Sequence, residues 1–265
     1  MNKVRIKSRS EIETMRRSGK AASIVLQTIG EAVSPGISTY ELDQISRDAI
    51  KKLGGISSFL GYQLPHHPPY PATICVSINE EIVHGIPRKD CILKEGDIIG
   101  IDTAVYLNGF HGDNAYTFPV GDIEPEAQSL LEVSKNALYK AIDAAKPGSR
   151  LGDACSALQT HVESHGFSVV RDFVGHGIGR NLHEEPQVPN YGEPGRGVRL
   201  KPGTVLAIEA MTNAGTHESE TLEDGWTAVT ADRRISALFE HTVAILPEGP
   251  EILTDNHDLW GSNSH

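Results

Sequence analysis

Apolar residues along this chain fall first into helical spacings and then into strand-like runs, and that order occurs twice. From Ser10 to about Ala32, the residues Ile12, Met15, Ala22, Val25, Leu26 and Ile29 recur at spacings near three and four, one face of a helix. Ser10 with Glu13 predicts a capping box at its start. After Ser34-Pro35-Gly36 a second helix is predicted from Ser38. Glu41 follows three residues on, Leu42, Ile45, Ala49 and Leu53 face inward, and Gly54-Gly55 is the stop. Residues 61–71 (GYQLPHHPPYP) hold four prolines, which fix φ and lack amide donors, so an ordered loop or lid is expected there.

Ala72–Ile78, Asp97–Leu107 and Phe110–Val120 are rich in Ile, Val, Thr and Tyr and read as strands. Asn108-Gly109 between the last two is a strong hairpin signal. A long helix over 124–145 runs to Lys146-Pro147-Gly148, a shorter one over 151–164 ends before Gly166, and strands return at Thr204–Met211 and Ser236–Leu246. No shift of composition marks a linker, so a single α/β domain over residues 1–265 is expected.

Residues 94–102 (KEGDIIGID) align with 201–209 (KPGTVLAIE) at a shift of 107. Ahead of each lie a helix, a Pro-Gly (Pro35-Gly36; Pro147-Gly148) and a second helix ending at Gly. His84-Gly-Ile recurs as His176-Gly-Ile, and an acid stands in the following strand of each half, Asp113 and Glu240. Chance similarity of two β-rich segments is the plain alternative. A duplication instead predicts two α/β halves about a pseudo-twofold, meeting in one sheet whose centre collects a carboxylate pair from each.

The hairpin permits a geometric reading of the first pair. With a two-residue loop, Leu107 faces Phe110 and Ala104 faces Asp113, so Asp102 and Asp113 are diagonal neighbours on one face, roughly 7–8 Å apart. Ile98-Ile99-Gly100-Ile101 precedes Asp102 and Val205-Leu206-Ala207-Ile208 precedes Glu209, so both acids stand in apolar strands and need cations. Four carboxylates and one imidazole (Asp102, Asp113, His176, Glu209, Glu240) suit hard or borderline divalent ions, Mn, Fe or Co, with Zn as a further candidate. Two such ions about 3.5–4 Å apart would activate a water and polarise a carbonyl, which predicts hydrolysis.

Charge and cysteine content narrow the partners. With 24 Lys and Arg against 35 Asp and Glu, the net charge of −11 argues against DNA and anionic membranes. Three widely spaced Cys form no disulfide framework, and no window is apolar enough for a signal peptide or a membrane span, so a cytoplasmic protein is expected.

VHGIP (83–87), GIDTAV (100–105), FHGDNAYTF (110–118), VGHGIGRNLHEEPQVPNY (174–191), LKPGTVLAIEAMTNAG (200–215), DGWT (224–227) and FEHT (239–242) together resemble the type I methionine aminopeptidases, which have the pita-bread fold. The resemblance covers nearly the whole chain. It implies a central curved, mostly antiparallel sheet covered by helices. It also implies two divalent metal ions (Co, Mn, Fe or Zn), with Asp102 on one, Asp113 and Glu240 bridging, and His176 and Glu209 completing the other. Glu209 would also shuttle a proton, His183 would donate to the scissile carbonyl oxygen, and His84 would contact the scissile nitrogen. HEEP after Leu182 is not HExxH, so no zincin helix is implied.

The first side chain of the substrate would sit against Tyr70, Cys75 and Trp226, with His67 where the family usually has Tyr and Leu182 where it usually has Phe. Cys75 reads equally well as a pocket wall and as core filler, and Ala210 stands where a Pro is customary. The activity implied is removal of the initiator methionine from nascent polypeptides with a small second residue, by a monomer. The competing readings are an Xaa-Pro-directed or relaxed-specificity aminopeptidase of the same fold, and a non-catalytic binding protein. Lys3, Arg5, Lys7 and Arg9 form a basic arm, either solvated or in contact with the ribosome.

Overall fold

The computed structural model describes residues 4–65 and 67–256, so Lys3 of the basic arm lies outside the described residues. Helix α1 (Arg9–Gly30) starts earlier than expected because Ser8 is its cap, not Ser10. Ser8 Oγ accepts from the Glu11 amide, and the Glu11 carboxylate accepts from the Ser8 amide. Ser10 is already inside the first turn. Helix α2 (Thr39–Lys52) is capped by Ser38 and Glu41 as the sequence predicts.

Strands β1 (Ile56–Ser57), β2 (Cys75–Ile78), β3 (Glu81–Val83), β4 (Ile98–Leu107) and β5 (Phe110–Pro119) follow. Helices α3 (Pro125–Ala144) and α4 (Leu151–Ser164) come next, then β6 (Ser168–Val169), β7 (Val174–Gly177), β8 (Glu184–Pro189) and β9 (Val205–Asn213). β10 (Ser219–Thr221), β11 (Ala228–Thr230), β12 (Ser236–Leu246) and β13 (Gly249–Ile252) complete the order. The main sheet runs β1-β4-β5-β12-β9-β7-β8, with β2 on β4, β6 on β9 and β13 on β12; β10, β11 and β3 form a second, small sheet.

Alternation assigns the two faces of the main sheet. In β4, Ile99, Ile101 and Val105 pack with Val25, Leu26 and Ile29 of α1 and with α2. In β9 and β12, Leu206, Ile208, Ala210, Phe239 and Val243 pack under α3 and α4. Side chains alternate with period two, so Asp102, Glu209 and Glu240 point to the opposite face. This is the two-halved architecture expected, each half one pair of helices on one pair of long strands.

The halves join between β5 and β12, where only Ala115↔Glu240 and His241↔Asn114 pair by ladder. Beyond each end of that short ladder a threonine hydroxyl replaces it. Thr242 Oγ1 accepts from the Asp113 amide at 3.0 Å and donates to the Asp113 carbonyl at 2.8 Å. Thr117 Oγ1 does the same for Leu238, at 2.9 and 2.8 Å.

The arm preceding α1 is held by the Lys7 amide on the Gly203 carbonyl. Lys7 itself turns inward to a buried ion pair with Glu184 at 2.9 Å, so it is not a free cation of a basic arm. α1 approaches β5 at backbone distance: a Cβ on Gly112 would stand 2.5 Å from the Gly19 amide nitrogen and the Ser18 carbonyl carbon. Gly112→Ala is therefore expected to lower stability by about 1–3 kcal/mol, the cost of overpacking. Calorimetry checks it, and a variant within about 0.5 kcal/mol of the parent would contradict this contact.

A candidate metal centre in a closed-ended cavity

Register places the predicted ligands on one line across the sheet. Cys75 pairs with Asp102, Asp102 with Ala115, Ala115 with Glu240, and Glu240 with Glu209. Ala207, two residues before Glu209 and so on its face, pairs with His176. Asp113 stands two residues before Ala115 and opposite Ala104, as the hairpin predicts. Directly paired residues and those two apart share a face, so all five side chains converge from both halves.

Their contacts are close. One ligand atom each of Asp113, His176 and Glu240 lies within 4.8 Å of the others, and His176 Nε2 is 3.7 Å from Asp113 Oδ2 and 3.8 Å from Glu209 Oε1. His176 Nδ1 is 2.9 Å from the Gly177 carbonyl oxygen, which only accepts, so the ring proton sits on Nδ1. A bare Nε2 lone pair then faces the carboxylates.

Burial penalises every charge in this set. It raises the Asp102 pKa to about 7 and pushes those of Asp113, Glu209 and Glu240 well above the usual carboxylate range, with the neighbouring carboxylates adding to the rise in these three. It lowers His176 to about 3. Asp102 Oδ1, Asp113 Oδ1 and Glu240 Oε1 are buried without a hydrogen-bond partner. Orphaned oxygens and an inward lone pair, in an oxygen-rich set with one imidazole, fit divalent cations.

The cluster opens into a cavity of about 390 Å³ lined also by Tyr70, Cys75, His84, Leu182, His183 and Trp226. Cys75, at the end of the row, is buried, and burial raises its thiol pKa well above the ordinary value. His84 adopts φ 62°, and its ring stands edge-on to Phe173 and Trp226. Burial, then the nearby His183, lowers His84 to about 4. His183 lies 4.4 Å from His176, ring centre to ring centre, and burial lowers its pKa too. A wider groove of about 980 Å³ continues outward past Arg5, Arg180 and Glu185, sharing Val174, His176, His183 and Gln187 with the cavity.

His67 is not in the cavity wall. It is exposed on the proline-rich loop, Nδ1 near the Pro65 carbonyl and its ring centre 5.6 Å from that of Trp226. Tyr62, which the sequence reading passed over, occupies that wall and bonds His183. Phe59, Phe173 and Met211 were also missed. Among them only Tyr62 carried a signal, as the last aromatic before the prolines.

Comparison with known proteins agrees with this geometry. The description "Metallopeptidase family M24" matches residues 13–247. The chain is 51% identical to methionine aminopeptidase 1 of Bacillus subtilis over 248 residues, 94% of this chain and 98% of that one. The crystal structure of methionine aminopeptidase from Thermotoga maritima superposes with a TM-score of 0.92 at 45% identity, covering 96% of this chain and 100% of that one. An Xaa-Pro dipeptidase from Bacillus anthracis shares the fold alone, with a TM-score of 0.74 at 20% identity, covering 95% of this chain and 62% of that one. Ligand row, cavity and relatives point the same way: the chain belongs to metallopeptidase family M24.

Proposed function

We propose that this protein is an aminopeptidase that removes the initiator methionine from polypeptides whose second residue is small. The observation that carries the reading is the row of four carboxylates and one imidazole beside a small cavity, in a chain half identical to a methionine aminopeptidase. Asp102, Asp113, His176, Glu209 and Glu240 would hold two divalent ions, Co, Mn, Fe or Zn. Such ions supply an acidified water and a Lewis acid for the scissile carbonyl, which makes amide hydrolysis feasible at neutral pH.

The remaining roles belong to the protein's own groups. Glu209, at the cavity wall and with a raised pKa, is suited to carry a proton from the attacking water to the departing amine. His183 donates to the carbonyl oxygen as charge develops on it, and His84 meets the scissile nitrogen. Tyr70, Cys75, Leu182 and Trp226 enclose the methionine side chain. The outer groove receives the polypeptide beyond its second residue. We assign these roles within one catalytic domain, a cytoplasmic monomer acting on nascent chains. A contact with the ribosome through the basic arm would not use Lys7, which is engaged with Glu184. Among the described residues, no helix is long and apolar enough to cross a membrane.

Hydrolysis of X-Ala-Ser peptides by metal-reconstituted protein is the deciding experiment: Met at X is expected to be released fastest. Preference for Xaa-Pro peptides, or no release with any of the four metals, would sink the reading. Glu209→Gln is expected to lower kcat by at least about 100-fold while the metal-free protein keeps its thermal midpoint. Unchanged turnover removes Glu209 from the mechanism. Divalent ion at about a hundred times its dissociation constant is expected to add about 2.7 kcal/mol, several degrees in melting temperature. Asp102→Asn with Asp113→Asn should abolish that shift, and a metal-insensitive parent would contradict the ligand assignment.

A further inference from the structure

The oxygen of Tyr62 lies 2.5 Å from Nδ1 of His183, and the two rings meet edge to face with centroids 5.2 Å apart. Tyr62 is held there by backbone. The Gly61 amide donates to the Tyr70 carbonyl and the Tyr70 amide to the Tyr62 carbonyl, both at 2.8 Å, closing the neck of the proline-rich loop. Tyr70 is anchored in turn, its hydroxyl 2.7 Å from the Gly85 carbonyl, and Trp226 Nε1 donates to the Pro68 carbonyl at 3.1 Å. The neck is tied to the wall on both sides.

A neutral imidazole has one ring proton, and the partner of one nitrogen decides which keeps it. A phenol is a far better proton donor than a neutral imidazole N–H, and an unprotonated ring nitrogen is the better acceptor. Burial raises the Tyr62 pKa further above 10, so the phenol keeps its proton at neutral pH. The bond therefore runs from Tyr62 O–H to His183 Nδ1. The ring proton is left on Nε2.

We propose that Tyr62 is a positioning residue whose hydroxyl holds His183 in the Nε2–H tautomer, the form able to donate to the oxygen of the bond being cut. This rests on the role given to His183 above. Without the hydroxyl, water at Nδ1 serves either tautomer and the donor is present only part of the time.

Tyr62→Phe tests this, because it keeps the ring in the wall and removes one oxygen. In full-length, zinc-loaded protein with ¹⁵N-labelled histidine, the parent is expected to show His183 as a single tautomer protonated on Nε2, and the variant a mixture. With Met-Ala-Ser, kcat should fall about 10- to 100-fold, as for other partners that orient a catalytic ring, with KM unchanged. In a His183→Ala background Tyr62→Phe should cost nothing more. A variant that keeps the pure Nε2–H tautomer overturns the proposal. So does a rise in KM alone, or an undiminished loss in the His183→Ala background. If the parent left methionine peptides uncut, the functional reading would fall, and the spectra would still decide the case of Tyr62.

Discussion

Five ionisable side chains crowded together on one face of a sheet, with little access to water, cannot all take their ordinary charge states unless something neutralises them. Asp102, Asp113, Glu209 and Glu240 each have raised pKa values for that reason, and His176 a lowered one. The same low polarity makes a cation worth far more there than at the surface. The apolar strands around the acids thus make this a place where a divalent cation is stabilising.

The fold resolves this conflict by dividing the sheet. One face is given to helices, with Ile99, Ile101, Leu206, Ile208 and Phe239 in two cores under two helix pairs. The other face carries the row from Asp102 to His176, and the alternation of β4, β9 and β12 around the acids keeps the two separate. A shift of one residue in any of these strands would bury a carboxylate under a helix. Core packing and carboxylate placement are therefore one requirement, not two.

Much of this was legible in the sequence. Asn108-Gly109 fixes a two-residue loop, and a two-residue loop fixes the register of Asp102 against Asp113. The direct pairing of Glu240 with Glu209 was not readable, because it depends on strands joined only through the rest of the fold. The helix start failed for a simpler reason: Ser8-Glu11 and Ser10-Glu13 satisfy the same capping pattern, and the pinning of Lys7 to Gly203 selects the first. His67 was put in the pocket by the family resemblance alone, because a stretch with four prolines has no period of its own that could have tested the match. β8 escaped notice because its two prolines mark it as non-strand, and it is tolerated as the edge of the sheet.

The seam between β5 and β12 has the exchange of partners found at an isologous interface. Thr117 serves the backbone of Leu238, Thr242 serves that of Asp113, and Ala115 and Glu240 sit on the axis between them. Two separate like units would have to associate before their acids met, and dilution would take the cage apart. Here one chain supplies both units, so the cage closes as an intramolecular event whose yield is independent of protein concentration.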